Sequence, residues 1–298
     1  MITKKDRQAA LLINREQERL ISLGANAAAR HTLTVLGLAI YAYRRKQDPR
    51  FVIAKAVMPI KNLLVQSMVT AHLRGKLRTQ IEQRKELILA GPSNAYSFAL
   101  DFLKRRLGLT ARELAALQAV YDTEALRITR NTSIAIERRV QLEFAKTTEQ
   151  GLHVEGGIDA IQRAFAKAGI LPRNKGTFEQ IFRTQTQIAY SAGRWQASRD
   201  PETEDILWGY KYTAVGDERT RPSHRALDGT TLPKDHPLWK TIFPPNGYNC
   251  RCQAIPIYEE REMVVPPNTI KEDGITYKVE PDEGFFFNPG ELFAPLAA

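Results

Sequence analysis

A long helical pattern between Thr110 and Gln150 is the feature that most limits how this chain can fold. Thr110 and Glu113 form the capping-box pattern that opens a helix, and Gly151 is a typical C-terminal cap. At 1.5 Å per residue such a helix is ~60 Å long. We therefore expect an extended or bundled helical body. The predicted buried stripe repeats every seven residues and is widened by two more, at Leu114, Tyr121, Ile128, Ala135 and Leu142 with Leu117 and Ala125.

The rest of the first 200 residues is also predicted to be helical. A second apolar stripe covers 51–89, where Pro59 is expected to start or kink the helix. Thr177 and Gln180 form another capping box, and the helix that follows is expected to pack on the C-terminal part. Shorter patterns predict helices over 94–107 and 158–168.

The sequence changes character after Pro201, where proline and glycine become frequent. Alternating aromatic and small residues predict short strands, and a short helix falls within 218–227. The fold class is therefore α+β: a mainly α-helical N-terminal body with long helices, followed by a smaller α+β C-terminal module. We place the domains at 1–170 and 171–298. The predicted strands lie within 205–215, 252–258 and 275–280.

Charge is divided unevenly along the chain. Residues 1–200 contain 33 Lys or Arg and 17 Asp or Glu, whereas residues 201–298 contain 10 and 16. A positive body attracts nucleic acid or an acidic protein surface, and an ordinary solvated helical surface explains the same excess. Each basic cluster is also typical of a helix end. The candidate contacts with such partners are Arg44, Arg45, Lys46, Lys104, Arg105 and Arg106.

Neither the start of the chain nor its most apolar run predicts export or membrane insertion. The start is charged and lacks the apolar core of a secretory signal. The most apolar run, 33–43, is shorter than the roughly 20 residues that span a bilayer. We expect a chain made in the cytoplasm, without a membrane anchor.

The stretch 217–257 collects residues suited to metal binding. His224, His236, Cys250 and Cys252 form one plausible zinc set, because thiolate and imidazole are the ligands that zinc prefers. Their spacing fits no common zinc module. In the alternative, both cysteines are small buried side chains at the start of a strand, and the histidines bond nearby carbonyl groups.

An enzymatic interpretation uses an overlapping set. Asp217, His224, Asp228 and His236 suit a metal-dependent nuclease, and Asp217, Arg219 and His224 suit a transferase-like effector. Against this, the last third is acidic and would repel nucleic acid. We expect no catalytic residue. A structural interpretation has Asp217 cap the following short helix, while Asp228-Gly229 makes a tight turn.

This stretch resembles the phage Mu F-like family, the head-morphogenesis or minor head proteins of tailed bacteriophages. The resemblance covers roughly 175–290, and 281–290 is similar to the family's closing segment. Asn246 to Asn249 replace a His-Pro-x-Cys element of many relatives, which removes a candidate metal ligand. The matching residues are Asp217, Arg219, Pro222, His224, Leu227, Asp228, Gly229, Pro244, Pro245, Cys250, Arg251 and Cys252.

The resemblance implies a virion component rather than an enzyme. It predicts a role in head morphogenesis and capsid assembly, with phage portal and capsid proteins as partners and contact with packaged DNA as a further option. The expected location is the capsid interior or portal vertex, after synthesis in the host cytoplasm. We expect no cofactor, and zinc at the His and Cys set named above is the alternative left open. The first 150 residues match nothing in this family.

Overall fold

The computed structural model describes residues 4–45, 47–55, 57–83, 105, 107–149, 154–169, 171, 176–201 and 204–292. The helices of the first 200 residues are α1 (Lys4–Arg44), α2 (Pro49–Lys55), α3 (Val57–Gln83), α4 (Ala111–Glu149), α5 (Val154–Lys167) and α6 (Gly176–Ser198). The shorter elements after them are β1 (Gly209–Thr213), α7 (Pro222–Ala226), β2 (Thr231–Pro233), α8 (Trp239–Ile242), β3 (Gln253–Ile257), β4 (Thr269–Glu272), β5 (Ile275–Lys278) and α9 (Pro289–Leu292). The predicted α+β class is confirmed.

The chain divides into two compact units, and neither is continuous in sequence. One comprises residues 1–20, 68–116 and 183–298, and the other comprises 21–67 and 117–182. The predicted domain division at residue 170 stays a prediction, because the compact units follow contacts between elements rather than their order along the chain.

The start of α4 has the predicted capping box. The N–H of Glu113 donates to Thr110 Oγ1 at 3.2 Å, and the N–H of Thr110 donates to Glu113 Oε2 at 2.7 Å. These bonds satisfy backbone donors that the first helical turn leaves without partners. The helix then runs for 39 residues, or about 58 Å at 1.5 Å per residue.

The buried face of α4 departs from the predicted heptad stripe, since Ala135 and Leu142 are exposed. A straight helix has 3.6 residues per turn and drifts away from a seven-residue repeat, so the stripe fails at its far end. Polar side chains take part in the real face: Thr129 donates to a carbonyl one turn earlier, and Glu143 accepts from Lys167 at 2.7 Å. The buried positions are Leu117, Tyr121, Ala125, Thr129, Ser133, Ile136, Val140 and Glu143.

Helices α3 and α6 cross with their backbones in direct contact at two glycines. A Cβ atom on Gly75 would collide with the carbonyl oxygen of Tyr190, and one on Gly193 would collide with the carbonyl oxygen of His72. Burial lowers the pKa of His72 to about 3, so this histidine is neutral at the crossing. Only residues without a side chain allow the two helices to approach this closely.

One detail of the helical predictions is corrected. Thr177 lies one residue inside α6 and donates its hydroxyl to the carbonyl of Ala168 at 2.6 Å, so it does not form a capping box with Gln180. Pro59 is the third residue of α3, as expected for a helix start. The helix predicted over 94–107 lies, except for residues 105 and 107, outside the described residues.

The C-terminal module is built on a three-stranded antiparallel sheet in the order β2-β1-β3. Trp195 of α6 stacks on Tyr210 of β1 with ring centroids 5.3 Å apart, and meets Phe243 edge-on at 4.9 Å. Trp239 and Tyr212 are at most 1% exposed and complete this aromatic core, against which the partly buried Trp195 packs. The prediction that α6 packs on the C-terminal part is confirmed, and burial of these large rings is its main driving force.

Strands β1, β3 and β5 fall where the alternating pattern predicts them, whereas β2 and β4 were not predicted. β4 and β5 pair as an antiparallel hairpin. Asp273 and Gly274 join them with φ values of 49° and 79°. An Asp-Gly pair between two short runs is a known signal for this turn and could have located the hairpin.

By length and composition alone, the helical stretch Val52–Gln80 could cross a bilayer. Helices buried inside protein cores meet the same criteria. Met68, Val69 and Leu73 within this stretch are at most 1% exposed. The expected absence of a membrane anchor stays a prediction.

Replacing Gly193 by alanine tests the helix crossing. We expect Gly193→Ala to lower the free energy of unfolding by about 1–3 kcal/mol, because overpacking against a backbone outweighs the ~1 kcal/mol that alanine gains in a helix. Gly37→Ala is the control, since no heavy atom lies within 4 Å of its added Cβ. Urea denaturation should show that variant unchanged or more stable. A shift of the same sign in both variants would contradict the crossing.

Candidate functional site

The C-terminal module encloses three buried donor atoms: Nδ1 of His224 and the Sγ atoms of Cys250 and Cys252. Nδ1 lies 3.6 Å from the sulfur of Cys250 and 3.7 Å from that of Cys252, and all three atoms lie within 4.8 Å of one another. The three residues are 2–3% exposed, and both cysteines are free thiols. Within the described ranges, they form the one group of His, Cys, Asp or Glu close enough to hold a metal.

Local structure explains how the cluster forms. Pro222 occupies the start of α7, where its missing N–H costs no hydrogen bond, and α7 presents His224 on its buried side. Cys250 and Cys252 precede β3 and are two residues apart. Because alternate residues of an extended chain point to opposite sides, both sulfurs face inward and Arg251 faces away.

The pKa values of the two thiols shift in opposite directions. Burial disfavours a thiolate at Cys250, but hydrogen bonds from the Cys252 thiol and from His224 hold the pKa of Cys250 well below its ordinary value. The hydrogen bond to Cys250, together with burial, raises the pKa of Cys252 well above its ordinary value. The contacts therefore favour the thiolate form at Cys250 and the thiol form at Cys252.

Two polar neighbours surround the sulfurs. The backbone N–H of Asn246 donates to Cys250, and the hydroxyl of Tyr212 interacts with Cys252. Asn246 also donates its side-chain amide to the hydroxyl of Tyr212 at 3.3 Å. Asn246 is fully buried, and its Oδ1 atom has no hydrogen-bond partner. Sequence reasoning named Asn246 only as part of a departure from the family pattern and did not single out Tyr212; the sequence separation between the segments leaves no local signal for their contacts.

His236, the fourth member of the predicted zinc set, does not join the cluster. It is half-buried in the loop before α8, where its Nδ1 accepts from the backbone N–H of Leu238 at 3.3 Å. The structure therefore brings together three of the four predicted ligands.

Asp217 holds the outward-facing arginine. Its two carboxylate oxygens accept from Arg251 at 2.6 and 2.7 Å, and further bonds come from the N–H of Arg219 and the hydroxyl of Thr220. The prediction that Asp217 caps the following helix is wrong, since Arg221 occupies that position without a side-chain cap. Asp217 instead closes the turn before it.

The proposed nuclease and transferase sets are not assembled by the structure. Asp217 is bound to Arg251, whereas His224 is directed at the buried sulfurs. Asp228 accepts from the N–H of Ala214 at 2.7 Å. Asp217, Asp228 and His236 all lie outside the metal-sized group formed by His224 and the cysteines.

Comparison with known families identifies the segment that contains this cluster. The family described as Phage Mu protein F like protein matches residues 141–255. We call these residues the Mu F-like segment, because they match the model of that family. The match begins upstream of the predicted 175–290, and the predicted closing segment 281–290 lies beyond it. The expected resemblance is confirmed, and the first 140 residues fall outside the match.

Individual relatives agree with this assignment. The Mu-like prophage FluMu F protein of Haemophilus influenzae is 42% identical over 74 residues, which are 25% of this chain and 17% of that protein. The "Putative capsid assembly protein F" of Escherichia phage Mu is 40% identical over 83 residues, 28% of this chain and 18% of that protein. The chain thus matches less than a fifth of the length of either relative. No solved structure matches this chain.

The remaining motif residues of the Mu F-like segment serve packing and turns. Leu227 is fully buried in the module core. Gly229 has a φ of 88° in the turn after it, a conformation that favours glycine. Pro244 and Pro245 are joined by a cis peptide bond and lead into Asn246.

The basic candidates lie outside the Mu F-like segment. Arg44, Arg45 and Arg105 are exposed. The guanidinium of Arg45 lies 5.0 Å from the ring centroid of Tyr41. The other three candidates, Lys46, Lys104 and Arg106, lie outside the described residues.

The ion pair between Asp217 and Arg251 makes stability depend on pH. Hydrogen bonding to Arg251 lowers the pKa of Asp217 from 3.8 to about 2. Because the folded state has the lower pKa, the stabilisation is present above pH 4 and is lost as the pH falls towards 2. The Asp217 side chain is 39% exposed, and solvent screening limits the effect to about 1 kcal/mol.

We therefore expect Asp217→Asn to lower the free energy of unfolding by about 1 kcal/mol at pH 7, with the difference from wild type shrinking below pH 4. Urea denaturation from pH 7 to pH 3 measures this. Glu259→Gln removes a more exposed ion pair with Arg261 and should change stability by no more than about 0.5 kcal/mol. A deficit in Asp217→Asn that is independent of pH would show that the ion pair is not its source.

Proposed function

We propose that this chain is a minor head protein of a tailed bacteriophage, which associates with the portal and acts in head morphogenesis. The observation that supports it is the Mu F-like match over residues 141–255. In agreement with it, the similar protein of Escherichia phage Mu is named "Putative capsid assembly protein F". The proposed role is docking and assembly rather than catalysis. The proposed location is the virion, at the capsid interior or portal vertex.

The rigid module suits a docking role. Trp239, Tyr210 and Phe243 are at most 1% exposed, and their rings contact one another edge-on. Arg221 and Asn288 fix the outer segments, donating to the carbonyl groups of Tyr248 and Trp239 at 2.8 and 3.1 Å. A preorganised surface loses little conformational entropy on binding, which favours specific association.

The helical part offers surfaces for the portal. Leu33, Leu38 and Tyr41 of α1 are 50%, 50% and 55% exposed. Exposed apolar side chains on a long helix suit a helical partner that lays its own apolar face beside them. We assign the portal contact to this part of α1.

Packaged DNA is the second proposed partner. Residues 21–67 contain seven Lys or Arg and a single acidic residue. Arg44 and Arg45 end α1 with exposed side chains. Such a surface would bind phosphates without reading bases, so its affinity would fall steeply with salt.

The alternative function, a metal-dependent nuclease or transferase-like effector, needs Asp217, Arg219 and His224 around one substrate. Asp217 is instead paired with Arg251, and His224 is 2% exposed. These contacts give the alternative no support, and the family names favour assembly.

Locating the protein in particles tests the assembly role. We expect mass spectrometry of purified heads to find this chain at a copy number close to that of the portal, and chemical cross-linking to join α1 to portal peptides. Peptides of the major capsid protein provide the abundance standard in the same sample. Complete heads that form normally and lack the protein would overturn the proposal.

Salt-dependent binding tests the DNA contact. We expect fluorescence anisotropy with duplex DNA to show affinity that falls between 50 and 200 mM salt, and Arg44→Glu/Arg45→Glu to weaken binding and flatten the salt slope by roughly 2. The control Arg261→Glu/Lys278→Glu alters two cations of the acidic C-terminal third that are 59% and 77% exposed. Equal losses in both variants would indicate an effect of net charge alone, and no binding at low salt would remove DNA as a partner.

A further inference from the structure

We propose that His224, Cys250 and Cys252 bind a zinc ion that fastens α7 to the segment leading into β3. This inference concerns a site that the assembly role does not require, and it can fail or hold independently of that role. It depends on distances, on the identity of the three donors and on the polar groups around them.

The spacing of the donor atoms matches a tetrahedral zinc site. With Zn–S near 2.3 Å and Zn–N near 2.0–2.1 Å, tetrahedral geometry separates a ligand nitrogen from a ligand sulfur by about 3.6 Å. His224 Nδ1 lies 3.6 and 3.7 Å from the two sulfurs. Both nitrogen–sulfur distances therefore fit zinc, and the two sulfurs, from a second segment of the chain, lie within 4.8 Å of each other.

The donor chemistry selects zinc among the common ions. Two thiolates and an imidazole suit zinc, whereas magnesium and calcium require oxygen ligands. The N–H of Asn246 donates to the sulfur of Cys250, and Tyr212 interacts with Cys252. Polar contacts of this kind orient ligands and stabilise the thiolate form that a metal requires.

An oxygen completes the fourth position. Within the part of the chain that the structure describes, no fourth His, Cys, Asp or Glu joins the group. Asn246 adjoins Cys250 through its backbone, is fully buried, and has an Oδ1 atom without a partner. We assign the fourth position to this oxygen, either directly or through a water that it holds.

The alternative of an ordinary core histidine fits the contacts less well. A buried histidine in a protein core normally bonds oxygen atoms, and unsatisfied polar atoms in such places are rare. Nε2 of His224 is buried without a partner, and Nδ1 faces the two sulfurs. Neither ring nitrogen of His224 therefore has an oxygen partner, and Nδ1 contacts the two thiols instead.

Zinc content of the purified full-length chain tests the site. We expect near one zinc ion per chain by plasma mass spectrometry after expression in zinc-supplemented medium and desalting. Cobalt substitution should give the visible bands of a tetrahedral cobalt–thiolate complex. Added zinc should also raise the melting temperature of the chelator-treated protein, because a ligand that binds only the folded state stabilises it.

Single variants assign the ligands. Cys250→Ser, Cys252→Ser and His224→Gln should each weaken zinc binding by more than the roughly 10- to 100-fold expected when a neighbouring group is lost, and Asn246→Ala by about that range. His236→Ala should bind zinc as wild type does, because that histidine lies outside the group. Circular dichroism establishes that each variant is folded.

Three results would overturn the proposal. The first is folded wild-type protein that contains no zinc after growth and refolding with the metal. The cluster would then be a thiol–imidazole hydrogen bond without a metal. Cys250→Ser/Cys252→Ser could retain wild-type zinc content. His236→Ala could lose zinc as fully as His224→Gln, which would place the metal elsewhere.

Discussion

The Cys-Arg-Cys segment 250–252 is the point on which the C-terminal module depends, because each of its groups faces a different partner. Its sulfurs meet His224 and its guanidinium is held by Asp217. Its backbone is held as well: the carbonyl oxygen of Arg251 accepts from Asn14 Nδ2 at 3.2 Å, and that of Cys252 accepts from Gln187 Nε2 at 2.8 Å. Residues of α1, α6 and α7 therefore meet at one tripeptide. An extended conformation makes this possible, since it directs neighbouring side chains to opposite sides.

Positioning and stabilisation are separate tasks in this module. Burying a large apolar side chain contributes about 1.5–3 kcal/mol, whereas a partly exposed ion pair contributes about 0–1 kcal/mol. The rings of Trp239, Phe243, Tyr210 and Tyr212 are at most 1% exposed, so they dominate the stability of the fold. The polar contacts around segment 250–252 select which arrangement of loops that core adopts, because a buried polar group in the wrong place would lose its partner.

Local patterns were sufficient for most helices and for part of the site. The capping box at Thr110 and the alternating run that became β1 depend on residues close in sequence, and both appear as predicted. The predicted α4 stripe failed in part because the buried face of the helix includes Thr129 and Glu143. A search for apolar residues does not identify these polar side chains as buried. Cys250 and Cys252 could be grouped from their spacing. Whether His224 or His236 joins them depends on tertiary packing across 26 residues, which spacing alone does not encode.

The family match also separates the segment that this chain shares with the Mu F-like family from the residues that lie outside that match. Residues 141–255 contain 15 Lys or Arg and 13 Asp or Glu, so the Mu F-like segment is nearly neutral. Residues 1–140 contain 25 and 11, and they lie outside the family match. A neutral, closely packed segment can be kept by proteins with different partners, because its contacts are internal. Long-range electrostatic attraction belongs to the other part, since it follows net charge rather than shape. Features specific to this protein's partner should therefore be sought in α1 to α4, and features common to the family in α6, α7 and the β2-β1-β3 sheet.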